Sequence, residues 1–90
     1  MKQLGGWITV GNERGVHSRI ATGLAEIAAK YQVRLHLSLK EETADCSMIL
    51  DVLALGCVQG DQLQVMVEGD AARRALESVE ALLTAKEDPK

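Results

Sequence analysis

The residues of this chain that could do chemistry lie together in the run Gly15-Val16-His17-Ser18-Arg19, directly before an amphipathic segment. If that segment is a helix, its start presents backbone N–H groups that have no intrahelical partner, and the peptide dipoles add partial positive charge there. Such a position binds phosphate and other anions. An imidazole at this point could accept and release a phosphoryl group. The run therefore predicts a phosphate site with His17 as the covalent residue, Ser18 at the helix N-terminus and Arg19 neutralising phosphate charge.

The helix that must position this site is predicted by its apolar spacing. Apolar side chains recur at i, i+4, i+7, i+8 and i+11, which places them in one stripe of an α-helix from about residue 18 to residue 31. The stripe consists of Ile20, Leu24, Ile27, Ala28 and Tyr31. Ser18 is the predicted N-cap, with His17 beside the cap and outside the stripe. A histidine beside a helix start can equally be an exposed or capping residue, so the local sequence alone leaves that interpretation open.

The rest of the chain predicts strands at about residues 4–10, 33–39, 43–46 and 62–68. Ser47 would cap a short helix that Gly56 ends in a left-handed conformation, and Asp70 would cap the last helix. That last helix would bury Ala72, Ala75, Leu76, Val79, Leu82 and Leu83. The order βαββαβα predicts an α+β fold, with an antiparallel sheet and helices on one face.

Composition limits the class of protein. Ninety residues suit one domain, residues 1–90, and a frayed tail is expected at about residues 86–90. A net charge of −3, with one Trp, one Tyr and no Phe, argues against nucleic-acid binding. The sequence has no apolar run that could span a bilayer and no signal-peptide pattern, so a cytoplasmic protein without membrane insertion is expected.

Metal binding is not expected either. The two cysteines, Cys46 and Cys57, form neither a metal quartet nor a closely spaced redox pair, and both should be reduced. His36 alternates with apolar neighbours in a strand pattern and should face away from the core.

Two motifs give the chain a resemblance to a known family. Residues 15–21, Gly-Val-His-Ser-Arg-Ile-Ala, are similar to the sequence around the phosphorylated histidine of the HPr family. Within residues 48–60, Val-Leu-Ala-Leu-Gly followed by Gln-Gly is similar to that family's short helix and turn. The chain resembles these histidine-containing phosphocarrier proteins of the bacterial phosphoenolpyruvate:sugar phosphotransferase system along nearly its whole length, without a gap between the motifs.

The resemblance implies an open-faced β-sandwich, with a four-stranded antiparallel sheet and three helices on one face. It further implies that enzyme I phosphorylates the Nδ1 atom of His17, and that the phosphoryl group passes to sugar-specific acceptor domains. The protein would be a monomeric carrier without a cofactor, and not an enzyme that turns over a small substrate alone. The family's docking surface would correspond to Ile49, Leu50 and Leu53, although these residues could also belong to the core.

The chain departs from the family pattern at several positions. Ile20 replaces a proline, which restores a backbone N–H but removes a rigid φ. Arg14 adds a second cation near the site, or else is a solvated loop charge. Met48 occupies the position of the family's regulatory serine, so phosphorylation could affect Ser47 only with a one-residue shift. Acidic Glu26 and Asp51 lie near a docking face that is often basic in the family.

These departures keep a second interpretation open, in which the chain is an HPr-like regulatory module that docks on protein targets and transfers little or no phosphate. A third class, a small hydrolase such as an acylphosphatase, is weakly suggested by Val58-Gln59-Gly60. That class is disfavoured because Asp61 follows where such a phosphate loop needs an arginine. The sugar, the pathway and the cognate partners do not follow from the sequence.

Overall fold

The computed structural model describes residues 2–88, which form a four-stranded antiparallel sheet and three helices. The strands are Gln3–Thr9 (β1), Arg34–Leu39 (β2), Glu42–Asp45 (β3) and Gln62–Glu68 (β4). The helices are Ser18–Tyr31 (α1), Ile49–Ala54 (α2) and Ala72–Thr84 (α3). The sheet order is β1-β4-β2-β3, and the helices cover one face. The predicted α+β fold is therefore confirmed.

Strand β4 lies between β1 and β2 in the sheet, and its apolar residues alternate with polar ones. Leu63, Val65 and Val67 are completely buried, while the residues between them point to the open face. The register sets Val65 opposite Gly6 of β1 and Leu37 of β2. A shift of one residue in this register would turn the whole apolar set to solvent, so the alternation fixes the pairing.

The helices close the buried face of the sheet. Helix α1 packs against α3 and α2, and α3 packs against β1 and β4. The predicted stripe of α1 is confirmed, with Ile20, Leu24 and Ala28 buried and Ile27 and Tyr31 packed at the margin of the core. The start of α1 is thereby held in a fixed position relative to the sheet. None of the helices in the described residues is long and apolar enough to cross a membrane.

The predicted N-caps of α2 and α3 are wrong. Helix α3 begins one residue later than expected, so Ala71 and not Asp70 is its N-cap, without a side-chain hydrogen bond. Helix α2 has Met48 at its N-cap, because the Ser47 hydroxyl instead donates to Asp45 Oδ1 at 2.8 Å. The end of α2 agrees with the prediction, since Gly56 follows the last helical turn with φ +68°.

Candidate functional site

The loop before α1 is shaped by Asn12, whose side chain is buried although it is polar. The residue is 2% exposed. Its Oδ1 atom accepts the Arg14 N–H at 2.8 Å, and its backbone carbonyl accepts the Gly15 N–H at 2.9 Å. An asparagine side chain commonly closes a turn with the backbone two residues further on. This closed turn delivers the chain to the start of α1.

The turn ends at Gly15, where both the backbone conformation and the neighbouring atoms require glycine. Its φ of +71° lies in the left-handed region, and a Cβ atom there would overlap the backbone carbonyl oxygen of Cys57. The same carbonyl accepts the Val16 N–H at 3.0 Å. Only glycine allows this close approach without displacing a neighbour. The loop carrying the candidate histidine is therefore joined to the loop after α2.

His17 is itself the N-cap of α1, which corrects the prediction that Ser18 caps the helix. The backbone of His17 is extended, and its Nδ1 atom accepts the Arg19 N–H at 3.3 Å. Its carbonyl accepts the Ala21 N–H at 2.9 Å. The prediction of Ser18 failed because an unprotonated imidazole nitrogen can accept the same hydrogen bond as a serine hydroxyl. Ser18 is the first helical residue, at the N-terminus of α1 as expected.

Asp88 holds the other nitrogen of the same ring. Its Oδ1 atom lies 2.8 Å from His17 Nε2. Because Nδ1 accepts a hydrogen bond, the hydrogen-bond network assigns the proton of the neutral ring to Nε2, which donates to Asp88. The unshared electron pair of Nδ1 is consequently directed at the first turn of α1. In this tautomer Nδ1 is the ring nitrogen that carries no proton.

Two arginines surround the carboxylate of Asp88. Arg14 Nη1 donates to Asp88 Oδ2 at 2.9 Å, and Arg19 Nη1 lies 3.7 Å from the same oxygen. Asn12 Nδ2 donates to Asp88 Oδ1 at 2.7 Å. The pKa of Asp88 lies below its ordinary value, chiefly because of the hydrogen bond from Asn12, then that from His17, with the charge of Arg14 adding to both. The carboxylate is thus held in its ionised form.

Ile20 meets the site only through its backbone. Its side chain is 1% exposed and belongs to the core. Its N–H is in the first turn of α1, where backbone donors lack an intrahelical acceptor. Arg14 and Arg19 both reach the site, and their side chains are 68% and 62% exposed, so both can also turn toward a bound anion.

Sequence reasoning missed Asn12 and Asp88. The side chain of an asparagine in a loop often accepts a hydrogen bond from the backbone N–H two residues further on. This tendency could have identified Asn12 from the sequence. Asp88 lies in the segment expected to be a frayed tail, and no local pattern links it to a histidine 71 residues earlier. The described part of that tail extends to Asp88, and residues 89 and 90 lie outside the described part.

Comparison with known proteins identifies the family. The family model described as "PTS HPr component phosphorylation site" matches residues 7–85. The chain belongs to the HPr family. The resemblance inferred from the sequence is therefore confirmed, and the chain is an HPr-family phosphocarrier protein of the phosphotransferase system.

Individual relatives agree with this assignment. The chain is 31% identical over 88 residues to the phosphocarrier protein NPr of Shewanella violacea, covering 98% of this chain and 97% of that protein. It is 30% identical over 77 residues to the multiphosphoryl transfer protein of Haemophilus influenzae, covering 82% of this chain but only 15% of that protein. The HPr structure from Bacillus anthracis superposes with a TM-score of 0.84 at 19% identity, covering 92% of this chain and 99% of that one, which shows the shared fold.

The predicted docking residues of this HPr-family protein differ in exposure. Leu50 is 79% exposed, and the neighbouring Met48, which was not among the predicted docking residues, is 55% exposed. Ile49 and Leu53 are partly buried against the core. Helix α2, which carries all of them except Met48, packs against α1. Leu50 is the residue of this set with most apolar surface available to a partner.

The other predicted residues lie at separate places in the HPr fold. Ser47 is exposed, and both its hydroxyl and its N–H donate to Asp45 Oδ1, at 2.8 and 2.9 Å. These hydrogen bonds lower the pKa of Asp45, the backbone one most strongly. His36 is half-buried in β2, opposite Met66 of β4 and Asp45 of β3. It faces the side of the sheet away from the helices.

Both cysteines of the chain are free and buried. Burial raises the pKa of Cys46 to about 12 and that of Cys57 to about 11, with the charges of Asp45 and Asp61 adding to the respective shifts. Thiols in such surroundings stay protonated and unreactive at neutral pH.

Proposed function

We propose that this chain accepts a phosphoryl group on His17 from enzyme I and passes it to sugar-specific acceptor proteins of the phosphotransferase system. The observation that carries the proposal is the orientation of the His17 ring. Its Nδ1 atom faces the first N–H groups of α1, while its Nε2 atom is held by Asp88. A neutral ring in this orientation presents an unprotonated nitrogen at the positive end of a helix dipole.

Phosphoryl transfer depends mainly on positioning and on the neutralisation of charge. The Arg19 N–H, which now donates to Nδ1 at 3.3 Å, lies where it could donate to an oxygen of a phosphoryl group bound to that nitrogen. The N–H groups of Ser18 and Ile20 belong to the same first turn. Arg14 and Arg19 add two positive charges beside them. Preorganised donors and charges of this kind stabilise the transferring group without rearrangement during the reaction.

The docking surface for these partners is proposed to be formed by Met48, Ile49, Leu50 and Leu53. Met48 and Leu50 are exposed apolar side chains of the kind found at the centre of a protein interface, whereas Ile49 and Leu53 are partly buried. Asp51 is exposed on the same helix, and Glu26 is exposed on α1. The acidic group of Asp51 on this surface disfavours strongly acidic partners. We therefore expect its cognate partners to present a neutral or basic face here.

A regulatory docking module is the second candidate function, favoured by the exposure of Leu50 and by the acidic Asp51 next to it in α2. In that case the surface would bind protein targets whether or not His17 carries phosphate. Replacement of His17 by alanine separates the two functions, because it removes the phosphate acceptor and leaves α2 unchanged. We place the protein in the cytoplasm as a monomer in either case.

Intact-protein mass spectrometry tests the proposal. The wild-type chain is incubated with phosphoenolpyruvate and enzyme I from the same organism, alongside the variants His17→Ala and His36→Ala. His36 is the second of the two histidines and provides the matched control. We expect one acid-labile phosphoryl group on the wild type and on His36→Ala, and none on His17→Ala. Absence of phosphate from all three proteins, with enzyme I shown to phosphorylate itself, would refute the proposal for this donor.

A further inference from the structure

The carboxylate of Asp88 is held by hydrogen bonds to three different residues. Its Oδ1 atom accepts hydrogen bonds from Asn12 Nδ2 at 2.7 Å and from His17 Nε2 at 2.8 Å. Its Oδ2 atom accepts from Arg14 Nη1 at 2.9 Å. Asn12 is buried, and its own Oδ1 atom is fixed by the Arg14 N–H. The carboxylate is therefore anchored through a buried amide to the same loop that carries the histidine.

We propose that Asp88 is a positioning residue for phosphoryl transfer, which keeps the His17 proton on Nε2 and stabilises the positive charge that the ring gains at Nδ1. This inference rests on the proposed function and deepens it. A carboxylate that holds the far nitrogen of a reacting histidine both selects the tautomer and stabilises the imidazolium formed during reaction. Asp88 has the geometry for both effects.

The reaction steps balance without any proton leaving the ring. The Nδ1 electron pair forms the new bond to phosphorus, and the bond between phosphorus and the donor's leaving group breaks with its electron pair going to the donor. The His17 ring then carries a positive charge, shared with the Nε2–H that donates to Asp88. In the onward step a nucleophilic atom of the acceptor protein forms its bond to phosphorus, the electron pair of the N–P bond returns to Nδ1, and the ring becomes neutral again. Asp88 stays ionised throughout.

A competing interpretation is that Asp88 occupies the place of the phosphoryl group and blocks its arrival. The contacts argue against this, because Asp88 bonds to Nε2 and leaves Nδ1 to the start of α1. Arg19 is 3.7 Å from Asp88 Oδ2, which is longer than a hydrogen bond, so its guanidinium is still available to a phosphoryl oxygen.

The test compares Asp88→Asn with Glu87→Gln. Glu87 is the neighbouring acid of the same tail and is exposed, so its replacement removes the same charge without touching the ring. Nitrogen NMR of ¹⁵N-histidine protein reports the tautomer of His17, with His36 as the internal reference. Rapid-quench measurement at saturating phosphorylated enzyme I gives the rate of phosphoryl uptake. The same measurement at lower concentrations of phosphorylated enzyme I shows how that rate depends on docking.

In the wild type and in Glu87→Gln we expect the neutral His17 ring to carry its proton on Nε2. The carboxamide of Asp88→Asn can accept a hydrogen bond from Nε2–H or donate one to an unprotonated Nε2, so we expect a mixture of tautomers. Because the hydrogen bond to a charged group is lost, we expect the saturating uptake rate to fall by about 10- to 100-fold. Docking should be unchanged. The His36 signals should stay the same in all three proteins, which shows that the fold is intact.

The proposal is overturned if Asp88→Asn leaves the tautomer of His17 unchanged, or if it takes up phosphate as fast as Glu87→Gln. Faster uptake by Asp88→Asn would also overturn it and would identify the carboxylate as a competitor of phosphate. The failure of the proposed function has a different signature, since the wild type itself would then take no phosphate from active enzyme I. The NMR comparison would still decide whether Asp88 selects the tautomer, and the role in transfer would be refuted together with the function.

Discussion

Replacement of Gly15 by alanine should disturb the loop that carries His17. Gly15 and Gly56 have nearly the same backbone torsion, with φ of +71° and +68°. A Cβ atom at Gly15 would overlap the carbonyl oxygen of Cys57, whereas a Cβ atom at Gly56 would meet nothing within 4 Å. The two substitutions therefore share the cost of a left-handed alanine and differ by one steric overlap.

The expected magnitudes follow from this difference. A left-handed conformation costs a residue with a Cβ atom about 1–2 kcal/mol, which is the expected loss of unfolding free energy for Gly56→Ala. Overlap with fixed neighbours typically adds about 1–3 kcal/mol, so Gly15→Ala should lose about 2–5 kcal/mol in total. A 90-residue domain has roughly 5–13 kcal/mol of stability, so both losses are a measurable part of the total.

Urea unfolding followed by far-ultraviolet circular dichroism measures both losses. Trp7 is 69% exposed in the native protein, so its fluorescence is a poor probe of unfolding. The denaturation slope should be the same in all three proteins if only stability changes. Phosphoryl uptake from enzyme I is measured in parallel. The displaced loop carries His17, and an error of about 1 Å at a reacting group can reduce a rate by about 100-fold.

Gly15→Ala should therefore lose both stability and uptake rate, whereas Gly56→Ala should lose stability alone. The reasoning is refuted if Gly15→Ala is no less stable than Gly56→Ala. It is also refuted if Gly15→Ala takes up phosphate at the wild-type rate, because the His17 loop would then not depend on the close approach to Cys57.

Three further predictions concern the docking surface, the tail and the thiols. Leu50→Asp should weaken binding to enzyme I while changing the free energy of unfolding by less than about 0.5 kcal/mol, since the side chain is 79% exposed. Trp7→Gln, on the open face of the sheet, is the control, and equal binding by both variants would refute the assignment of the surface. Carbon NMR titration of the Asp88 carboxyl should give a midpoint below its ordinary pKa of 3.8, and Asn12→Ala should raise it. Because the folded-state pKa is lowered, the stabilising contacts of Asp88 are complete above the unfolded-state pKa and are lost as pH falls through the folded-state pKa; a midpoint at or above 3.8 would contradict this. Cys46 and Cys57, with pKa values raised to about 12 and about 11, should resist iodoacetamide in the native protein at pH 8 and react in urea, whereas fast labelling of either in the native state would show that it is not buried.

The helices and strands whose apolar residues recur at a regular spacing were predictable from the sequence. The apolar stripe of α1 and the strict alternation in β4 each determine which face is buried, and Gly56 marks the end of α2. The helix starts were less predictable. The N-cap is the residue at which the backbone changes from extended to helical, and the sequence does not show where this change occurs. At α1 the N-cap is His17, and its imidazole accepts the hydrogen bond that a serine hydroxyl was expected to accept.

The candidate site was only partly predictable for a related reason. His17 and Arg19 are adjacent to a recognisable helix start, so their chemistry follows from local sequence. Asp88 reaches His17 across almost the whole chain, and contacts of this kind depend on how α3 packs against β1 and where its last turn ends. A charged residue in a terminal segment gives no local indication of such a partner.

The position of the phosphoryl group on the ring tests the central claim most directly. Protein labelled with ¹⁵N-histidine is phosphorylated by enzyme I, and phosphorus–nitrogen couplings are measured by NMR under alkaline conditions that preserve the N–P bond. We predict coupling from phosphorus to Nδ1 of His17, since this nitrogen faces the start of α1 while Asp88 holds Nε2. Phosphorus bound to Nε2 of His17, or to either nitrogen of His36, would contradict the account.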